Sequence, residues 1–249
     1  MKKFLKTTLY FLLNLLPSKK EGNQVIILMY HSVSNSKTFF SVSPQVFEKQ
    51  INYLVSNKYN IVSLDKLVGY FNNQSIPPRT VLITFDDGYE DNYSNVFPIF
   101  KKYKVSATIF ISTSMVGTEV QAKNGEKFRI LDFSQIKEMK KSGLIEFGAH
   151  GHNHQKLTSL SESEIEQELL NSKKILEEKL ECEIKYFAYP SGKFNDFVKA
   201  KAQKYFQLAL TVLSGGISPQ DDLFALKRNS IDSQVSWSQF KYIIKHGKL

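Results

Sequence analysis

Short apolar runs recur along this chain, and most of them end abruptly on polar residues. Val25 to Tyr30 (VIILMY), Val81 to Ile83, Ala107 to Ser112, Leu144 to Ala149, Ile184 to Tyr189 and Leu208 to Leu213 read as buried strands, with Ile61-Val62 as a shorter one. Between them, apolar residues recur every three or four positions. Ser43-Pro44 pairs a hydroxyl cap with a first-turn proline and opens a helix carrying Phe47, Ile51, Leu54 and Val55 on one face. Leu64 to Phe71, Asn92 to Tyr103 (kinked or restarted at Pro98), Phe133 to Lys141, Asp196 to Phe206 and Trp237 to Lys245 read as further helices. The longest, Ser161 to Leu180, begins on a capping box and turns Ile165, Leu169, Leu176 and Leu180 inward. Thr113 to Arg129 reads as a long polar loop, a feature that compact domains reserve mostly for function. Regular alternation of strand and helix argues an α/β fold with a parallel sheet closed as a barrel.

The start of the chain has a different pattern. Phe4 to Leu16 is almost wholly apolar, with Lys2, Lys3 and Lys6 inside or before it and Lys19 and Lys20 after. Thirteen residues are too few for a membrane-spanning helix, which needs about 20. On a helical wheel Lys3, Lys6, Thr7, Tyr10 and Asn14 form a polar stripe opposite Leu5, Leu9, Leu12, Leu13 and Leu16, as in a helix lying on a membrane surface. An export signal without a marked cleavage site and a helix packed on the domain are the alternatives. Residues 1–22 are therefore expected to be an anchor or export segment, and 23–249 the functional domain. A cell-envelope or membrane-associated location is expected, on either side of the membrane.

Composition changes this picture little. Of the net charge of +9, five units lie in the first twenty residues, and the mild remainder forms no basic stripe of the kind nucleic acid requires. The single Cys182 excludes an internal disulfide and a cysteine zinc cluster. A monomer is expected.

Chemistry gathers at the strand tips. Val25–Tyr30 leads into His31, the strand at Thr80 into Asp86-Asp87-Gly88, Leu144–Ala149 into His150-Gly-His152-Asn-His154, and Ile184–Tyr189 into Pro190-Ser191. In a parallel barrel all these tips share one face. Adjacent carboxylates repel unless a cation or shared proton relieves them, although Asp-Asp-Gly alone would also suit a hairpin turn. His150 and His154, four apart, can turn both rings to one side, and one Asp with two His leaves coordination positions open for water and substrate. His152 would point away.

Thr84-Phe-Asp-Asp-Gly88, His150-x-x-x-His154, Phe187-Ala-Tyr-Pro-Ser-Gly192 and Ile27-Leu-Met-Tyr-His-Ser32 together resemble the motifs of the polysaccharide deacetylases of NodB-homology type (carbohydrate esterase family four). The N-terminal motif is similar to that of the branch with poly-N-acetylglucosamine deacetylases. The resemblance implies a distorted (β/α) barrel of about seven parallel strands and removal of N-acetyl groups from a cell-surface, secreted or lipid-linked glycan. It implies a divalent metal, zinc first, with cobalt, nickel, iron or manganese as alternatives. By position, Asp87, His150 and His154 would hold the metal, Asp86 would be the base and His31 the acid. Tyr189, Pro190 and Ser191 would line the acetyl pocket, with a backbone N–H near Tyr189 facing the oxyanion. Two positions depart from the family pattern: Gly151 stands where Ser or Thr is usual, and Ala188 and Ser191 replace the Arg and Tyr of an Arg-x-Pro-Tyr motif. An amidase of the same fold and a glycan-binding module with a degenerate site are the competing readings.

Overall fold

The structure is a computed structural model that describes residues 9, 10, 12–14 and 24–249. The described strands, in chain order, are β1 (Val25–Tyr30), β2 (Asn60–Ile61), β3 (Thr80–Phe85), β4 (Ala107–Ile111), β5 (Glu119–Gln121), β6 (Lys127–Arg129), β7 (Ile145–Ala149), β8 (Tyr186–Ala188), β9 (Leu208–Leu210) and β10 (Asn229–Ser230). The helices are α1 (Pro44–Ser56), α2 (Leu64–Asn72), α3 (Phe97–Tyr103), α4 (Phe133–Lys141), α5 (Glu162–Leu180), α6 (Asp196–Ala202) and α7 (Trp237–His246). Seven strands run parallel in the order β10-β1-β3-β4-β7-β8-β9, and β2 adds an eighth beside the first residues of β3. No ladder joins β9 to β10. Residues 223–228 fill that gap irregularly: Leu226 donates to Ala209 and Thr211 donates to Leu226. This is where the expected barrel is distorted.

Strands buried on both faces divide their side chains by parity. Ile26, Leu28 and Tyr30 of β1, Val81, Ile83 and Phe85 of β3, and Ile145, Phe147 and Ala149 of β7 pack outward under the helices. Val25 and Ile27, Leu82, Phe110, Tyr186, Ala188, Leu208 and Leu210 fill the barrel interior, which α2 plugs with Leu64, Leu67 and Phe71. Continuing the interior parity past each strand end reaches His31, Asp86 and His150. Continuing the helix-facing parity of Phe187 reaches Tyr189.

Most expected elements appear within a residue or two of their ends. Thr113–Arg129 is not one loop: Thr113–Met115 makes a short turn, and β5 and β6 pair as an antiparallel hairpin. Three-residue strands with two exposed outer positions leave no apolar run to read. Its return strand is latched to the site, because Glu90 N–H donates to Arg129 and Leu131 N–H to Gly88. The expected Asn92–Tyr103 helix is in two parts, a π turn over Asn92–Val96 followed by α3 with Pro98 in its first turn. Proline has no N–H to give a preceding carbonyl, and the wider turn absorbs the mismatch. The strands expected over 184–189 and 208–213 are three residues each. Of the N-terminal segment, most residues lie outside those described. No helix among the described residues is long and apolar enough to cross a membrane.

Candidate active site

Asp86 ends the interior face of β3, and its N–H donates to the Tyr30 carbonyl, which ties the tips of β1 and β3 together. Its carboxylate is buried and receives a fork from Arg228: Nη1 to Oδ1 and Nη2 to Oδ2, both at 2.7 Å. Arg228 is fully buried and is itself fixed by Nε donating to the Thr211 carbonyl at 2.8 Å. Burial alone would push the Asp86 carboxyl up. The Arg228 guanidinium, with the imidazoles of His150 and His31 nearby, reverses this and holds it below the usual carboxylate range.

At Asp87 the chain leaves the strand with φ +71°, an uncommon angle for a residue with a side chain. That turn swings Asp87 towards the histidines. Its Oδ1 lies 3.5 Å from His150 Nε2 and 3.2 Å from His154 Nε2. Burial raises the Asp87 carboxyl, but the contact with His154 and the nearby imidazoles of His31 and His150 pull it far down. Burial likewise lowers His150 more than the two aspartates raise it, whereas Asp87 outweighs burial at the less enclosed His154 and raises it.

The histidine loop is held from three sides. His150 Nδ1 lies 2.7 Å from the Ala188 carbonyl, which can only accept, so Nδ1 carries the proton and Nε2 keeps a lone pair facing Asp87. Ser112 Oγ donates to the His150 carbonyl at 2.9 Å. Beneath the loop, the buried Glu168 of α5 accepts from the N–H groups of His152 and Asn153, each at 2.8 Å, and from the Asn153 amide at 2.7 Å. Gly151 belongs to this arrangement. Its φ is +75°, and a Cβ there would meet Glu168 Oε2 at 3.0 Å and Pro190 Cγ at 3.3 Å. Glu168 thus supports the loop from the space that a side chain at 151 would enter. His152 turns away, as expected, and pairs through Nδ1 with Thr113 Oγ1 at 2.8 Å.

His31 is half-buried at the tip of β1, its ring 6.3 Å from that of Phe40, which stacks on Tyr89. Its loop is tied to the segment after β3. Asn92 Nδ2 donates to the His31 carbonyl at 2.9 Å, while Asp91 accepts from Ser32 Oγ at 2.6 Å and Val33 N at 2.9 Å.

The third group divides. Tyr189 is fully buried, its ring stacked on Phe194 and its hydroxyl donating to the Phe224 carbonyl at 3.1 Å. Its N–H donates to Leu210. Strand parity points its side chain at the helices, so neither its ring nor its N–H serves the acetyl pocket, a correction to the sequence expectation. Pro190 is buried against Gly151, and Ser191 is exposed with φ +57°.

Sequence reading missed Arg228 and Glu168. Arg228 lies 142 positions from Asp86 and outside any motif, although it is one of only three arginines among 33 basic residues. Glu168 stands three residues after Ile165, on the inward stripe of α5, where an acid is out of place unless it is used.

The three donor atoms of Asp87, His150 and His154 lie within 4.8 Å of one another, and Asp87 Oδ1 is buried without a hydrogen-bond partner. Donors about 2.1 Å from one cation stand roughly 3.4 Å apart at near-tetrahedral angles, and Asp87 Oδ1 stands 3.5 Å and 3.2 Å from the Nε2 atoms of His150 and His154. The residues therefore fit a divalent cation. This set sits beside a buried carboxylate paired to an arginine, at the mouth of a parallel barrel.

Comparison with known proteins places the chain in a family. The polysaccharide deacetylase family model matches residues 73–208, more than half the chain; His31 and Arg228 fall outside it. A poly-beta-1,6-N-acetyl-D-glucosamine N-deacetylase of Staphylococcus aureus is 32% identical over 91% of this chain and 84% of its own length. IcaB from Ammonifex degensii superposes with a TM-score of 0.80 at 26% identity, covering 90% of this chain and 98% of that one. The Streptococcus pyogenes deacetylase PplD, solved in complex with acetate, gives 0.78 at 28% identity over 89% and 98%. On these matches, the chain belongs to the polysaccharide deacetylase family of enzymes.

Proposed function

We propose that this enzyme removes N-acetyl groups from the amino sugars of a cell-surface, secreted or lipid-linked polysaccharide by metal-dependent hydrolysis. The observation that carries the reading is the buried, unpartnered Asp87 Oδ1 facing two imidazoles, with the Asp86–Arg228 pair alongside. Asp87, His150 and His154 would hold the cation, zinc first by its affinity for mixed nitrogen and oxygen donors, with cobalt, nickel, iron or manganese as alternatives. When bound, that cation supplies the charge that polarises an acetamide carbonyl and acidifies water.

The remaining chemistry belongs to the chain. Asp86, kept ionised by Arg228, takes the proton of the attacking water. Arg228 uses one lone-pair direction on each Asp86 oxygen, so acceptor capacity remains. His31, on the same interior parity, gives a proton to the departing amine nitrogen. Tyr189 donates to Leu210, Gly192 to Tyr189, Lys193 to Pro190, and proline has no N–H. The N–H of Ser191 is thus the donor of this stretch that we assign to the developing oxyanion.

Asp86→Asn is expected to lower acetate release from N-acetylglucosamine oligomers by about a thousandfold, with zinc uptake preserved. Wild-type turnover in that variant would remove Asp86 from its role. His154→Ala should instead lose zinc uptake, read by equilibrium dialysis. The substrate named for the Staphylococcus aureus relative, poly-beta-1,6-N-acetyl-D-glucosamine, is the first polymer to compare with chitin oligomers and peptidoglycan.

A further inference from the structure

The loop after His31 carries an aromatic ring that the chemistry above does not use. Phe39 is 65% exposed. Single exposed apolar side chains are ordinary on a protein surface, but this one ends a line of rings that begins at the site. The His31 imidazole lies 6.3 Å from the ring of Phe40, and Phe40 meets Phe39 at 5.6 Å, so Phe39 stands within about 12 Å of the imidazole. Phe40 is wedged between Tyr89, which follows β3, and Phe128 of β6, with ring centres 5.4 and 5.3 Å away. Phe40 meets Phe39 at an interplanar angle of 83°, and among the described residues no ring is stacked on Phe39 face to face.

The backbone that presents this ring is fixed from several sides. Ser32, Thr38 and Ser41 are buried, and their hydroxyls form a chain: Thr38 Oγ1 lies 2.7 Å from Ser41 Oγ, which donates to Ser32 Oγ at 3.0 Å. The Phe39 carbonyl accepts from both the N–H and the Oγ of Ser233, each at 3.0 Å. Glu126, in the turn between β5 and β6, accepts from the Lys37 N–H at 3.3 Å. A ring already held in place loses little freedom when a ligand covers it.

We propose that Phe39 is the stacking face for a second sugar of the substrate chain, a neighbour of the one whose acetamide is cleaved. It would make the enzyme favour oligomers over the single sugar. The inference rests on the deacetylase reading above. His31 marks where the departing amine lies, and a polymer held there must continue across the surface beside it. One face of a pyranose ring presents mainly C–H groups, which pack on a flat aromatic ring while the hydroxyls stay in water. A second copy of this chain is a poorer occupant. Asn35 and Lys37, the exposed neighbours of Phe39 on the loop, are polar, and one ring is far less than the area a stable dimer buries.

The test is acetate release by the full chain, loaded with zinc, from N-acetylglucosamine and its oligomers up to the pentamer. For the wild type, kcat/KM is expected to rise with chain length. Phe39→Ala should lower it about tenfold on the pentamer, through KM with kcat unchanged, as for a contact made equally in ground and transition states. Its activity on the single sugar and its melting temperature should not change. Phe39→Trp should keep the preference for length, whereas Phe39→Leu, apolar but not flat, should behave as the alanine variant. An unchanged KM for the pentamer in Phe39→Ala overturns the proposal. So does an equal loss at every length, or a wild-type dimer in sedimentation that Phe39→Ala dissociates. Absence of acetate release by the wild type at every length overturns the deacetylase reading, and this inference with it.

Discussion

Asp86 and Asp91 lie five residues apart at the same end of β3, both largely withdrawn from water, and burial pushes both carboxyls up. They end on opposite sides of the ordinary carboxylate value. Asp86 faces the Arg228 guanidinium and is held down; Asp91, satisfied by Ser32 Oγ, Val33 N–H and the Asn92 amide, is pushed up to about 6. Three neutral hydrogen bonds do not offset lost hydration as a full charge does. The two residues are thereby separated in kind. One is an ionised acceptor beside the candidate metal ligands, and the other fastens the loop that carries His31.

Removing the charge that distinguishes them should have the largest effect. Arg228→Met leaves Asp86 buried without its cation, and a loss of about 3–5 kcal/mol in unfolding free energy is expected, measured by urea denaturation. Acetate release should fall by about a hundredfold or more, with the acidic limb of the pH profile moved to higher pH. Arg228→Lys, which keeps the charge and loses the fork, should lie between. A depressed folded-state value stabilises above the unfolded carboxylate range and is lost on acidification through the folded value. In Arg228→Met that acid-side loss should disappear. An unmoved pH profile in a folded variant would break the comparison.

Glu168 extends the comparison to a carboxylate bonded only to amide groups of the loop it supports. Glu168→Gln retains one acceptor oxygen and introduces a donor facing N–H groups. Zinc affinity is expected to weaken about tenfold, as for other outer partners of ligand histidines, read by competition with a chelating dye. The smallest effect belongs to Asp91. Its raised value means that stability falls as pH rises from about 4, where the unfolded carboxyl ionises, to about 6, where the folded one does. Asp91→Asn has no proton to lose, so its denaturation midpoint should be flatter over that interval; an identical slope would show that Asp91 does not titrate there.

Much of the fold and half of the site were legible because their signals are local. Buried parallel strands are continuous apolar runs, and a histidine pair four apart or an Asp-Asp-Gly at a strand end is visible without knowing what lies opposite. The β5–β6 hairpin escaped notice because its strands are short and mostly exposed. Arg228 escaped because its partner is distant in sequence and its own stretch lies in the irregular closure between β9 and β10. The family's usual arginine position is Ala188 here, yet a guanidinium still reaches the buried Asp86 from another segment.

By itself the sequence determined that strands alternate with helices, that their tips carry His31, Asp86, Asp87, His150 and His154, and that the cationic excess gathers at the start. Which side of each strand faces the barrel was decided only by the curled sheet. Parity is relative until one face is buried against helices and the other inside the barrel. That choice sends His31, Asp86 and His150 inward and Tyr189 outward. It also brings Arg228 and Glu168 beneath the site, and it sets Asn14 on α7 with Leu9 and Leu12 turned to the outside. These are pairings across long loops, and their energy exists only once the chain has closed upon itself.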